Sequence, residues 1–122
     1  MNNLRTLGQE RAEFALKKIA NMNGRSDKFK PFSAGAPSMI LQNGFGHALA
    51  FWLAKGKSEH EEMFNIVKEW LCKCRIVEGK DKSEFMLNIS QMKQSDYLRA
   101  QKETLALLEW VKRFANANFM EE

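Results

Sequence analysis

The chain has 122 residues, 44% of them hydrophobic and 28% charged, with 19 Lys and Arg against 15 Asp and Glu for a formal net charge of +4. A chain of this length buries roughly two thirds of its unfolded surface and holds a core without disulfide or metal staples. The composition therefore excludes a disordered tail, a disulfide-knotted secreted peptide and a multidomain enzyme, and it predicts one domain over residues 1–122.

Two Pro, seven Gly and one Tyr beside nine Phe and three Trp favour helix over sheet. The pattern predicts an all-α fold, a compact bundle of about five helices. Leu4, Leu7, Phe14, Ala15, Ile19 and Met22 recur at spacings of three and four, which predicts an amphipathic helix from about Asn3 to Asn23, stopped by Gly24. Residues 24–37 hold both prolines, Pro31 and Pro37, together with Arg25, Lys28 and Lys30, and are expected to form a basic loop. A second helix is expected from Pro37 or Ser38 to Lys55, with Gly56 as its C-terminal cap. Its Gly46, Ala50 and Ala54 lie four apart and make a small-residue face that another helix can approach closely. Ser58 followed by Glu61 has the spacing of a capping box, ahead of Met63, Phe64, Val67, Trp70 and Leu71, and predicts a third helix to about Lys73. Asp81 and Glu84 precede Phe85, Met86, Leu87 and Ile89, predicting a short helix after the Glu78-Gly79 turn. From Ser95 to about Asn118, Tyr97, Ala100, Thr104, Leu107, Leu108, Val111, Phe114 and Ala115 share one face of the longest helix.

Two cations depart from this inside-and-outside division. Arg11 and Lys18 fall within the apolar stripe of the first helix, so their aliphatic stems are expected to cover the core while their charges reach water or a carboxylate. On the last helix Trp110 lies with Arg99, Glu103, Ala106 and Arg113, while Leu98 and Leu105 lie on the opposite flank of the core face. Burial against a neighbouring helix and contact with another protein chain both account for these three apolar residues.

Catalytic chemistry finds little support. His47 lies inside an apolar helix and His60 in a charged first turn, neither with a partner that marks a base or nucleophile. His60 with Glu59, Glu61 and Glu62 reads as a solvated face, since adjacent helical residues point around the axis and do not converge on a metal. Phosphate-cradling loops, nucleophile elbows and paired carboxylates in a cleft pattern are absent, so no catalytic residue, metal or cofactor is expected. Cys72 and Cys74, one residue apart and without a second ligand cluster, read as reduced thiols of a cytoplasmic helix. Met1 to Arg5 has no apolar signal run, and the most apolar segment, Phe45 to Ala54, is about half the length that spans a bilayer, so neither export nor a membrane partner is expected.

The distribution of charge says more than its total. Residues 1–57 carry nine Lys and Arg against three Asp and Glu, whereas residues 58–122 carry ten against twelve, giving halves of +6 and −2. Arg5, Arg11, Lys17, Lys18, Arg25, Lys28, Lys30, Lys55 and Lys57 are thus candidates to neutralise phosphates, with an acidic region left for a protein partner. No aromatic strand of an RNA-recognition fold is visible, so contact with nucleic-acid backbone, not with bases, is expected.

Pro37-Ser38-Met39-Ile40, Asn43-Gly44-Phe45, Ala48-Leu49-Ala50-Phe51, Lys55-Gly56 and Trp70-Leu71 form a specific series. It continues through Tyr97, Arg99, Ala100, Glu103, Leu105-Ala106-Leu107-Leu108 and Trp110-Val111-Lys112-Arg113-Phe114-Ala115, with Arg11-Ala12 near the start. Together these resemble the small helical subunit of the type III-B CRISPR effector, the Cmr complex, over nearly the whole chain. The sequence departs at Leu98 and Gln101, where that family often has Arg and Thr. The resemblance implies a cytoplasmic, non-catalytic all-α subunit of an RNA-guided antiviral complex, stacking in copies beside the backbone subunits and helping to hold CRISPR RNA paired with target RNA. It assigns target cleavage to the backbone subunit, and nucleotide cyclisation and DNA cleavage to the large subunit. Head-to-tail stacking needs two different complementary surfaces; Leu98, Leu105, Trp110 and Arg113 are the candidate subunit contacts, although Lys112 and Arg113 also suit a helix C-terminus electrostatically. A free-standing helical adaptor that binds only protein explains the same apolar residues, and a DNA-binding regulator requires a recognition helix that the apolar segment Asp81–Met92 does not supply.

Overall fold

The structure, a computed structural model, describes residues 4–22 and 26–119. Among these residues it forms six helices and no strand: α1 (Leu7–Ala20), α2 (Ser26–Asn43), α3 (Phe45–Lys55), α4 (Ser58–Lys73), α5 (Lys82–Ser90) and α6 (Gln94–Asn116). The chain is all-α, with one helix more than the periodicity indicates. α6 is the central element, and α1 and α2 pack along it most extensively. The buried side chains join in one core cluster that includes Ile19, Phe29, Ile40, Trp52, Phe64, Trp70, Leu107 and Val111.

α1 starts later than the apolar pattern suggests because Thr6 caps it. The Gln9 N–H donates to Thr6 Oγ1 at 3.0 Å and the Thr6 N–H donates to Gln9 Oε1 at 2.9 Å, satisfying two otherwise free amides reciprocally. Ala15 and Ile19 face the core, and the helix ends at Ala20 with Asn21 as its C-cap. The expected stop at Gly24 and the candidate Arg25 lie outside the described residues.

The expected basic loop over residues 24–37 is corrected: from Ser26 onward the chain is helical, with Pro31 and Pro37 both inside α2. Each proline removes a helical N–H donor, at a cost of about 3 kcal/mol in an ordinary helix interior. Burial outweighs that cost. Phe29, Ser33, Ala36 and Ile40 recur at helical spacing, all four are buried, and α6 receives this face. The Ser33 hydroxyl bonds within the helix, donating to the Lys30 carbonyl at 2.8 Å.

The expected helix from Pro37 or Ser38 to Lys55 is in fact two, interrupted at Gly44, whose φ of 93° is open to glycine and strained for other residues. α6 supplies the missing cap: the Phe45 N–H donates to Gln101 Oε1 at 3.2 Å and the Gly46 N–H donates to Tyr97 Oη at 2.8 Å. A Cβ at Gly46 would lie 3.2 Å from that tyrosine oxygen, so the small-residue face serves close packing at Gly46, while Ala50 and Ala54 are exposed. Gly56 closes α3 in the left-handed conformation, as expected.

α4 matches the sequence reading in its bounds but not in its cap. Lys57 occupies the N-cap position without a side-chain hydrogen bond, so Ser58 and Glu61 form no capping box. Asp81 does cap α5, its carboxylate accepting from the Glu84 N–H at 2.8 Å. α5 closes at Ser90, short of Met92, because its last donors turn back at Gln91.

Candidate nucleic-acid interface

The two cations in the apolar stripe of α1 do find carboxylates. Arg11 Nε donates to Glu103 Oε2 at 2.6 Å and Nη2 to Oε1 at 2.9 Å, a two-point pairing across 92 residues of sequence. Trp70 Nε1 donates to the same Oε2 at 2.9 Å, so one carboxylate ties α1, α4 and α6 together. Glu103 is only 8% exposed. Burial by itself pushes its carboxyl up, but the hydrogen bonds from Arg11 and Trp70 and the neighbouring positive charges outweigh it, holding the group below the usual carboxylate range. The hydrogen bond to Glu103 raises Arg11 further. Lys18 Nζ lies 2.5 Å from Glu69 and 5.5 Å from the centre of the Phe14 ring, which in turn packs on Trp70 at 4.9 Å.

The remaining described basic candidates, Arg5, Lys17, Lys28, Lys30, Lys55 and Lys57, are exposed or half-buried and have different neighbours. Arg5 and Lys17 share Glu13, at 2.7 and 3.0 Å, and line a shallow groove of about 300 Å³ with Glu10, Phe14 and Lys73. The bonds from Arg5 and then Lys17 pull the Glu13 carboxyl down to about 2. Lys73 joins this groove from α4, a neighbour that sequence spacing does not reveal. Lys28 lines a small cleft with Asp27, Glu59 and Glu62, and Lys30 donates to Asn118 Oδ1 at 3.0 Å, where the start of α2 meets the end of α6. Lys55 stands 5.9 Å above the exposed Phe51 ring, and Lys57 is exposed at the turn into α4.

Of the candidate subunit contacts, Leu98 is 45% exposed and Arg113 is exposed. Leu105 and Trp110 are half-buried against the core, and Trp110 packs on Phe114 at 5.6 Å. His60 departs from the solvated face expected of it: its ring lies on Phe32 at 4.3 Å, and its Nδ1 is buried 3.2 Å from Glu59 Oε2 without a hydrogen bond. Cys72 and Cys74 are free, and burial pushes both thiols up. Among the described residues no three His, Cys, Asp or Glu side chains converge on a possible metal position, and no helix is long and apolar enough to cross a membrane.

Residues 7–118 match the family model described as CRISPR-associated protein (Cas_Cmr5). The chain belongs to the Cmr5 family. A Cmr5 relative, the CRISPR system Cmr subunit Cmr5 of Thermus thermophilus, is 30% identical over 117 residues, covering 93% of this chain and 96% of that protein. The crystal structure of a CRISPR-associated Cmr5 family protein from Thermus thermophilus superposes with a TM-score of 0.76 at 31% identity, over 93% of this chain and 97% of that one. This chain is thus a small subunit of the type III-B Cmr system, and other Cmr subunits are its partners. Gln101 has a definite place in this fold: it caps α3.

Proposed function

We propose that this Cmr5-family subunit is non-catalytic, works in the cytoplasm in antiviral defence, and stacks along the effector while its basic surface helps hold guide and target RNA. The observation that carries this reading is the state of the basic half. Apart from Arg11, whose guanidinium is committed to Glu103, its described cations remain at the surface with partners that water and phosphate can replace. Exposed ion pairs contribute little net stability, so exchanging Glu13 for an RNA phosphate costs Arg5 and Lys17 little. Target cleavage then belongs to other subunits.

Backbone and large Cmr subunits, neighbouring copies of the chain, CRISPR RNA and target RNA are the partners in this reading. Leu98 and Arg113 are open to a protein neighbour on α6, with Leu105 and Trp110 as half-buried supports beside them.

Native mass spectrometry of the complex purified with the products of its operon tests the proposal. Several copies per RNA-containing assembly are the expected result. A monomer that joins neither the other subunits nor RNA overturns the reading and leaves the free-standing adaptor in its place.

A further inference from the structure

The corner between α2 and α3 is an Asn-Gly pair, Asn43-Gly44. In such a pair the glycine nitrogen, unshielded by a side chain of its own, attacks the asparagine Cγ. A bond forms between that nitrogen and Cγ, the bond from Cγ to the side-chain nitrogen breaks, ammonia leaves and a five-membered succinimide remains. Water then opens the ring at either carbonyl, to an aspartyl or an isoaspartyl residue. The chemistry consumes water alone, and Asn43 is exposed to it.

The fold holds both reacting parts away from this reaction. Asn43 is the last residue of α2, and ring closure needs its ψ to rotate out of the helical range, so that Cγ meets the following nitrogen. The Gly44 N–H is also engaged, donating to the Ile40 carbonyl at 2.8 Å. The next two amides are fixed from α6: the Phe45 N–H donates to Gln101 Oε1 at 3.2 Å and the Gly46 N–H to Tyr97 Oη at 2.8 Å. Phe45 is fully buried and meets the Tyr97 ring edge-on at 5.7 Å. Three successive amides are thus held, one by α2 and two by α6, and Asn43 turns toward the reactive geometry only when the corner opens. A second Asn-Gly pair, Asn23-Gly24, lies outside the described residues.

We infer that Asn43 is a deamidation site that the α6 caps keep closed, its reaction passing through local opening of the α2–α3 corner and not through unfolding of the bundle. The product favours the open corner. Ring closure consumes the N–H that the Ile40 carbonyl accepts, and hydrolysis leaves a carboxylate at the C-terminal end of α2, where it opposes the helix dipole. The isoaspartyl form also adds one carbon to the backbone, which moves the Phe45 and Gly46 amides out of register with Gln101 and Tyr97.

The test incubates the full chain at mildly alkaline pH and follows deamidation at Asn43 by peptide mapping and mass spectrometry, with the urea-unfolded chain as the open reference. The folded wild type should react at least about ten times more slowly than the unfolded chain, since only the open fraction cyclises. Tyr97→Phe and Gln101→Met each remove one acceptor at nearly constant shape and should speed the reaction about five-fold, as expected for one lost hydrogen bond. Gln101→Glu keeps the acceptor and should react at the wild-type rate. Trp70→Phe lowers the stability of the bundle but leaves both caps in place, and should stay within about two-fold of the wild type. A wild type that reacts as fast as the unfolded chain overturns the inference. So do Tyr97→Phe and Gln101→Met chains that react no faster than the wild type. A Trp70→Phe chain accelerated as much as they are assigns the reaction to global unfolding and overturns it too.

Discussion

Arg11 and Arg113 are the same residue type on two helices of the same bundle, yet they sit in opposite environments. Arg11 is held at two points by a carboxylate that is nearly sealed from water and that also accepts from Trp70, whereas Arg113 is exposed near the end of α6. The difference shows that a basic sequence is not by itself a basic surface. Removing one partner from a buried pair leaves an uncompensated charge, while removing an exposed cation takes away little that water does not replace. The described cations of the first half therefore separate into Arg11, which holds the fold, and those that stay at or near the surface.

Substitutions that break this contrast should differ in size in a set order. Arg11→Met should cost about 3 kcal/mol in urea unfolding, because Glu103 is left buried with Trp70 alone. Adding Glu103→Leu should recover much of that loss, since an apolar pair of similar bulk fills the site without an unpaired charge. A double variant as unstable as Arg11→Met contradicts the assignment. Trp70→Phe removes one donor to Glu103 and leaves part of a fully buried indole site unfilled, and should cost roughly 2 kcal/mol on the same measurement. Arg113→Gln should change stability by less than about 0.5 kcal/mol, as expected of an exposed site.

Acid sharpens the same comparison. The carboxyl of Glu103 is held below its unfolded value, so the stability it contributes is present above the ordinary carboxylate range and is lost as pH falls through the lowered value. Wild-type stability should therefore decline below about pH 4, where unfolded Glu takes up its proton. Glu103→Gln should start less stable and lose less over that interval. Parallel acid titrations of the two proteins, followed by circular dichroism, check this.

Most of the helical pattern was legible because it depends on local spacing. Met63, Phe64, Val67, Trp70 and Leu71 locate α4, and Gly56 marks the end of α3. α2 was not, because Pro31 and Pro37 read as punctuation when taken residue by residue. The competing signal was nonetheless in the sequence, in the helical spacing of Phe29, Ser33, Ala36 and Ile40, and only packing against α6 decides which prevails. The break at Gly44 was hidden for a similar reason, since its capping partners Tyr97 and Gln101 are more than fifty residues away. The charge asymmetry and the anomalous position of Arg11 could be read directly, but the identity of its partner could not, because a contact across 92 residues leaves no periodic trace.

The most direct measurement of the central claim is the salt dependence of target-RNA binding by the reconstituted complex, with wild-type chain and with Lys17→Glu/Lys18→Glu. Each lost phosphate contact flattens the slope of log affinity against log salt by about 0.7 to 0.9, so the variant should be shallower by roughly one to two units while the complex still assembles. An assembled complex with an unchanged slope contradicts the claim that these surface cations face RNA.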